Sequence, residues 1–115
     1  MDSFSLEELT GLIISDIALE NETLGIAFEN GSSLSIFNKF EIDAGDASNL
    51  STTKGKHLVS VTDTPTTIDF YFSNGMTIRV GMTESDFADP EAMVYYGADG
   101  MIEVWREESI KKPTE

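Results

Sequence analysis

The chain has 115 residues and no cysteine, and its net charge is −14 because 21 Asp and Glu residues face 7 Lys and Arg residues. This length predicts one domain, and the missing cysteines exclude disulfides and thiolate metal sites. The apolar runs are too short for a membrane-spanning helix, the acidic N-terminus does not resemble a secretory signal, and the charge disfavours nucleic acid, so we expect a cytoplasmic protein with basic partners.

The first predicted element is a short helical turn, because Ser5 and Glu8 have the spacing of a capping box. A three-stranded antiparallel meander follows over about residues 11–40. Its first strand is predicted over residues 13–19. The next two strands show the alternation of a sheet with one buried face. Their inward positions hold Leu24, Ile26, Phe28, Leu34 and Ile36.

The turn between the second and third strands contains an Asn-Gly pair. A two-residue loop would place Leu34 on the polar face of the sheet. A three-residue loop, Glu29-Asn30-Gly31, instead pairs Ile26 with Leu34 and keeps one face apolar. Gly31 then occupies the left-handed position that such loops need.

The whole meander is repeated over about residues 55–84. Residues 11–38 align without a gap with residues 55–82, a shift of 44 positions, which indicates one supersecondary unit used twice. The first strand of the second unit is predicted over residues 57–63. The same register places Asp69 opposite Arg79 on the outer face and predicts a cross-strand ion pair. The inward positions hold Ile68, Phe70, Phe72, Ile78 and Val80.

A last hairpin is predicted over about residues 92–106, with strands at 93–96 and 101–106 and Val94 opposite Val104. A helical turn could begin just before it at Asp89-Pro90-Glu91-Ala92, since Asp suits an N-cap and Pro the next position. Two meanders with one apolar face each must bury those faces together. We therefore predict one mainly β domain, residues 1–115, with eight strands packed as a sandwich or a partly open barrel.

Groups that could support catalysis are sparse, so we do not expect an enzyme. The one histidine, His57, stands at the head of a strand, and no Gly-x-Ser-x-Gly motif is present. No phosphate-binding glycine-rich loop occurs, and the carboxylates near Asp43 and Asp99 lack the spacing of a calcium loop. We expect no cofactor and no metal ion.

Acidic residues are concentrated after the third strand of each unit, without an intervening Lys or Arg. These segments are either solvated loops or a surface for a basic partner. Each contains a phenylalanine that could anchor such a partner or belong to the core. The candidate partner-binding residues are Glu41, Asp43, Asp46 and Phe40 in the first segment, and Glu84, Asp86, Asp89, Glu91 and Phe87 in the second.

Three features give the chain a family resemblance: the doubled Gly…Leu-x-Ile-x-Phe unit, the Asp89-Pro90-Glu91-Ala92-Met93 segment, and the closing Gly-Met-Ile-Glu-Val-Trp at residues 100–105. The chain resembles small bacterial immunity proteins encoded beside polymorphic toxins, including those of contact-dependent inhibition. The resemblance implies a protein that binds a cognate toxin domain and neutralises it by stoichiometric occlusion. Many such toxins are nucleases with basic grooves, which an acidic inhibitor complements.

Two other functions are compatible with the same residues. One is an acidic β-module that acts as an adaptor or structural interaction protein without a toxin partner. The other is a carrier that holds a small molecule between the two sheets. The sequence leaves the oligomeric state open.

Overall fold

The structure is a computed structural model that describes residues 6–43, 53–87 and 91–106. Two antiparallel sheets pack together as a sandwich that does not close into a barrel. In the described ranges the strands are β1 (Ile14–Glu20), β2 (Thr23–Phe28), β3 (Ser33–Ile36), β4 (Phe40–Asp43), β5 (Leu58–Asp63), β6 (Thr67–Phe72), β7 (Thr77–Gly81), β8 (Glu91–Tyr96) and β9 (Ile102–Arg106). Short 3-10 helices cover Leu6–Leu9 and Glu84–Asp86. No helix of this described part is long and apolar enough to cross a membrane.

The predicted meanders and their registers are confirmed. Ile26 pairs with Leu34 in the first unit, and Asp69 pairs with Arg79 in the second. The loop after β2 has three residues, since the Phe28 amide donates to the Ser32 carbonyl at 2.9 Å. Gly31 and its counterpart Gly75 have φ of 96° and 91°, the left-handed conformation that the register requires.

The strand that sequence reasoning missed is β4, which raises the number of strands in the described ranges from the predicted eight to nine. It pairs with β7 of the second unit, while β8, which follows the second unit, pairs with β3 of the first. Each meander therefore gains its fourth strand from the segment that follows the other meander. The five-stranded sheet has the order β1-β2-β3-β8-β9, and the four-stranded sheet has the order β4-β7-β6-β5.

The two units meet in a nearly symmetric way around an isolated bridge between Ile13 and His57, which are equivalent positions of the repeat. The Gly11 amide donates to the Leu58 carbonyl at 2.7 Å. The equivalent Gly55 amide donates to the Ile14 carbonyl at 2.8 Å. The repeat is thus a pseudo-two-fold relation in space as well as in sequence.

The apolar faces of both sheets form one shared core, as predicted. All ten inward positions named above are buried in a single hydrophobic cluster. Leu6 and Leu9 of the first 3-10 helix join it, and so do Met93 and Tyr95 of β8. Because the core is shared, neither unit buries its apolar face without the other.

Two predicted connections differ from the structure. Glu91 and Ala92 begin strand β8 and do not form a helical turn; Asp89 and Pro90 lie outside the described residues. Ala92 is buried and Met93 pairs with Ile36, so sheet pairing and burial outweigh the capping signal. Ser5 also lies outside the described residues, although the 3-10 helix at Leu6–Leu9 follows it directly.

Candidate functional site

The described part of the first acidic segment, residues 40–43, is a strand and not a loop. Glu41 and Asp43 belong to β4, where they alternate with Phe40 and Ile42. The pairing of Phe40 with Val80 and of Ile42 with Ile78 turns the apolar pair toward the core. Glu41 and Asp43 therefore stand exposed on the outer face of an edge strand.

The second acidic segment contains the 3-10 helix Glu84–Asp86. The Asp86 carboxylate accepts hydrogen bonds from the Thr83 amide at 3.0 Å and the Thr83 hydroxyl at 2.6 Å. It also packs over Gly81, where any side chain would collide with it. Asp86 thus stabilises the turn, whereas Glu84 is exposed.

The fold brings the two acidic segments together. The Lys39 amide donates to the Asp86 carbonyl at 2.9 Å, and Glu41 and Asp86 line one open depression of about 350 Å³. Lys39 and Arg79 line the same depression. Although neither acidic segment contains a lysine or arginine, two cations lie beside them: Lys39, which directly precedes β4, and Arg79 of β7.

Arg79 lies between two carboxylates on the outer face, opposite Glu41 on β4 and Asp69 on β6. Its Nε donates to Asp69 Oδ1 at 3.0 Å and its Nη2 to Asp69 Oδ2 at 3.2 Å. Asp69 is only 6% exposed and also accepts a bond of 3.3 Å from the Tyr71 hydroxyl. The hydrogen bond and the charge of Asp69 raise the pKa of Arg79 above its already high usual value. The predicted ion pair is confirmed, and its charges satisfy each other.

The two candidate anchors, Phe40 and Phe87, are half-buried and pack against the core. Glu91 opens β8 and is also half-buried. Asp46 and Asp89 lie outside the described residues. Of the predicted site, the structure places Glu41, Asp43 and Glu84 on the exposed surface near one edge of the four-stranded sheet.

A second open depression, of about 380 Å³, was not predicted from the sequence. It lies where the chain crosses between the sheets, and we call it the crossover depression. It is lined by Leu19, Glu22, Phe37, Asn38, Lys39 and Phe40. Asn38 is buried, and its side-chain oxygen is the one buried side-chain polar atom of the described residues without a hydrogen-bond partner. One feature of the sequence could have indicated this site: Asn38 is polar, whereas the equivalent position of the second unit holds Met82.

Exposed apolar side chains lie on the outer face of the five-stranded sheet. Tyr96 and Ile102 pair across β8 and β9 and are 44% and 58% exposed. Across the described residues, no group of three or more His, Cys, Asp or Glu side chains is arranged to hold a metal ion.

Comparison with known proteins provides no relative, since no family model, curated protein or solved structure matches this chain.

Proposed function

We propose that this protein is an immunity-type inhibitor that binds one basic toxin domain in the cytoplasm and neutralises it by stoichiometric occlusion. The observation that carries the proposal is the charge of −14. Every Asp and Glu of the described residues except Asp69 is at least partly exposed. The negative charge is therefore displayed to a partner.

A surface of this kind attracts a basic groove over several ångströms. Exposed charges of opposite sign steer two proteins toward each other and raise the rate of association. A nuclease groove that holds polyphosphate is basic, so an acidic protein competes for the same positive side chains. The mechanism requires only contact and occlusion, with no chemical step.

The exposed carboxylates of Glu41, Asp43 and Glu84 are the proposed contact residues. They lie at one edge of a sandwich whose strands are fixed by the shared core. A preformed surface of this kind loses little conformational entropy on binding. Asp86 supports the same region indirectly, by closing the turn that carries Glu84.

The proposal is tested with the product of the neighbouring gene, which should carry the toxin domain. Isothermal titration should give a one-to-one complex, and the purified chain should abolish toxin activity at a molar ratio of one. A toxin that stays active at a several-fold excess of this chain would contradict the proposal.

An adaptor without a toxin partner is the second candidate. The paired Tyr96 and Ile102 favour it, because exposed apolar side chains on a sheet face mark contact surfaces when they form a patch. This alternative would be supported if the chain does not neutralise the toxin and if changing these two residues abolishes its binding to every partner found.

A further inference from the structure

We propose that the edge strand β4 binds an extended, antiparallel strand of the partner in which basic and apolar residues alternate. The basic side chains lie beside Glu41 and Asp43, and the apolar side chains lie beside Phe40 and Ile42. The inference deepens the proposed function and rests on it for the identity of the partner. The recognition of such a strand by β4 does not, and a peptide can test it alone.

One side of β4 has backbone groups that pair with no other strand in the described residues. β4 is the first strand in the order β4-β7-β6-β5, so it forms an edge of its sheet. The Gly81 amide donates to the Lys39 carbonyl at 2.9 Å, and bonded positions alternate along an antiparallel ladder, so the Glu41 backbone also bonds to β7. The amides and carbonyls of Phe40 and Ile42 therefore point away from β7, toward the position of a further strand.

The other three edge strands carry features that obstruct pairing with a further strand. β1 and β5 each contain a bulge, near Ile14 and Leu58 respectively. β9 places Glu103 opposite the core residue Tyr95, so a strand joined to β9 would have to pack beside an inward charge. β4 pairs with β7 without a register shift. Among the edges in the described ranges, β4 is therefore the one suited to a further strand.

The side chains of β4 define which strand can join it. Glu41 and Asp43 are exposed on the outer face, whereas Phe40 and Ile42 are half-buried on the inner face. Side chains directly opposite each other in a sheet interact, and opposite charges there are favourable. A strand with basic residues opposite Asp43 and Glu41, and apolar residues opposite Ile42 and Phe40, satisfies both faces. Addition of a strand to a sheet edge is a recurrent mode of protein recognition.

The same two carboxylates disfavour a second copy of this chain at β4. Pairing of two β4 strands would bring Glu41 and Asp43 against carboxylates of the other copy, and like charges opposite each other are destabilising. Charges on edge strands commonly prevent such self-association. An edge that repels its own copy and attracts a basic strand thus discriminates between the two partners.

The chemistry can be tested with the capped peptide Thr-Lys-Val-Lys-Val-Thr and two N-methylated isomers. In the antiparallel register the valine amides face β4 and the lysine amides face away from it. In an NMR titration of the labelled full chain, the unmodified peptide should shift the Phe40 and Ile42 amide signals. Methylation at both valines should weaken binding about tenfold or more, because two hydrogen bonds are lost, and methylation at both lysines should weaken it clearly less. Equal weakening by both isomers, or shifts located elsewhere, would overturn the inference.

The location can be tested by exchanging the charges. Glu41→Lys combined with Asp43→Lys should abolish binding of the lysine peptide and create binding of Thr-Glu-Val-Glu-Val-Thr. The control, Glu29→Lys combined with Asp63→Lys, changes the net charge equally at exposed positions elsewhere and should retain the original preference. The same loss in both variants would show that net charge alone attracts the peptide, and the inference would fail.

Hydrogen exchange distinguishes an added strand from contact through side chains alone. In the free chain the Phe40 and Ile42 amides should exchange rapidly and the Glu41 amide slowly; slow exchange at Phe40 and Ile42 would contradict a free edge. Saturating peptide, and separately the toxin domain, should protect both amides. If the toxin domain binds without protecting them, the inference fails and the proposed function stands. If the peptide protects them and the toxin domain does not bind, the proposed function fails and the recognition of a basic strand by β4 stands.

Discussion

At the scale of single residues, Asp69 is the most deeply buried charged side chain in the described part of the chain. Its carboxylate is held by Arg79 and Tyr71 on the outer face of a central strand. Arg79 is itself half exposed, so water screens its side of the pair. Loss of the ion pair is therefore most costly at Asp69. Removing the cation leaves a buried carboxylate with one neutral donor.

Arg79→Met should lower the urea midpoint of unfolding, since methionine preserves much of the side-chain volume but not the charge. Adding Asp69→Asn to this variant should restore part of the loss, because the uncompensated charge is gone. Tyr71→Phe is the control and should have a smaller effect than Arg79→Met. A double variant less stable than Arg79→Met alone would show that the charge of Asp69 is not the source of the loss.

The turn glycines are required because of their backbone conformation, and not because a side chain would collide with a neighbouring residue. Gly75 has a φ of 91°, and no atom beyond its chain neighbours lies within 4 Å of the position a side chain would begin. Gly75→Val should therefore destabilise the fold by about 1–3 kcal/mol, the usual strain of a left-handed non-glycine residue. Gly75→Asn should cost clearly less, since asparagine tolerates this conformation.

Thermal and urea unfolding of these two variants, with exposed Ala98→Val as control, checks the turn. Equal losses for valine and asparagine would argue against a backbone origin.

At the level of elements, the exchange of fourth strands makes the two units interdependent. β4 completes the sheet of the second unit and β8 completes the sheet of the first. A chain cut between residues 47 and 48 leaves β1 to β4 on one fragment and β5 to β9 on the other. The first fragment then lacks β8 and β9 of its sheet, the second lacks β4 of its sheet, and each lacks the part of the shared core that the other supplies.

Neither fragment alone should unfold cooperatively, whereas an equimolar mixture should regain β-sheet circular dichroism and one cooperative transition. Ile42→Asp in the first fragment should prevent reassembly, because it places a charge on the inner face opposite Ile78. Asp43→Asn on the outer face should permit it. A cooperative transition in the isolated second fragment would contradict the interdependence.

Pairing within each unit was predictable because a register shift of one residue would turn every apolar side chain outward. The Asp69–Arg79 pair and the loop at Gly31 follow from that register. The exchange was not predictable, since the alternation of a strand does not specify which sheet it joins. In β4, Phe40 and Ile42 alternate with two acidic residues, a pattern that favours a strand. Acidic residues are also typical of an exposed loop, and the segment was interpreted as one.

The candidate site was predictable only as a list of acidic residues. The spacing of Thr83 and Asp86 is that of a capping box, so the structural role of Asp86 was open to sequence reasoning. The position of Arg79 beside Glu41 was not predictable, because it depends on the pairing of β4 with β7, and neither was the approach of Lys39 to the second acidic segment. The crossover depression likewise depends on where residues 37–39 cross between the sheets.

At the level of the whole molecule, the rate of association with the toxin domain could depend on the net charge or on particular charged residues, and the two cases predict different effects of substitution. A uniform negative potential would make every carboxylate equally important for association. A defined contact at Glu41, Asp43 and Glu84 would make these three more important than others of equal charge. Asp86 is omitted from the comparison because changing it would also open its turn.

Changing Glu41, Asp43 and Glu84 together to lysine should slow association with the toxin domain about tenfold or more at low salt, the scale of electrostatic steering. The control changes Glu8, Glu29 and Asp63 to lysine, which alters the net charge equally at exposed positions elsewhere. Stopped-flow association rates should differ between the two variants at low salt. They should converge as ionic strength rises, since exposed charges are screened within about 8–10 Å. Equal rates for the two variants at low salt would show that only net charge matters and that this edge is not the contact surface.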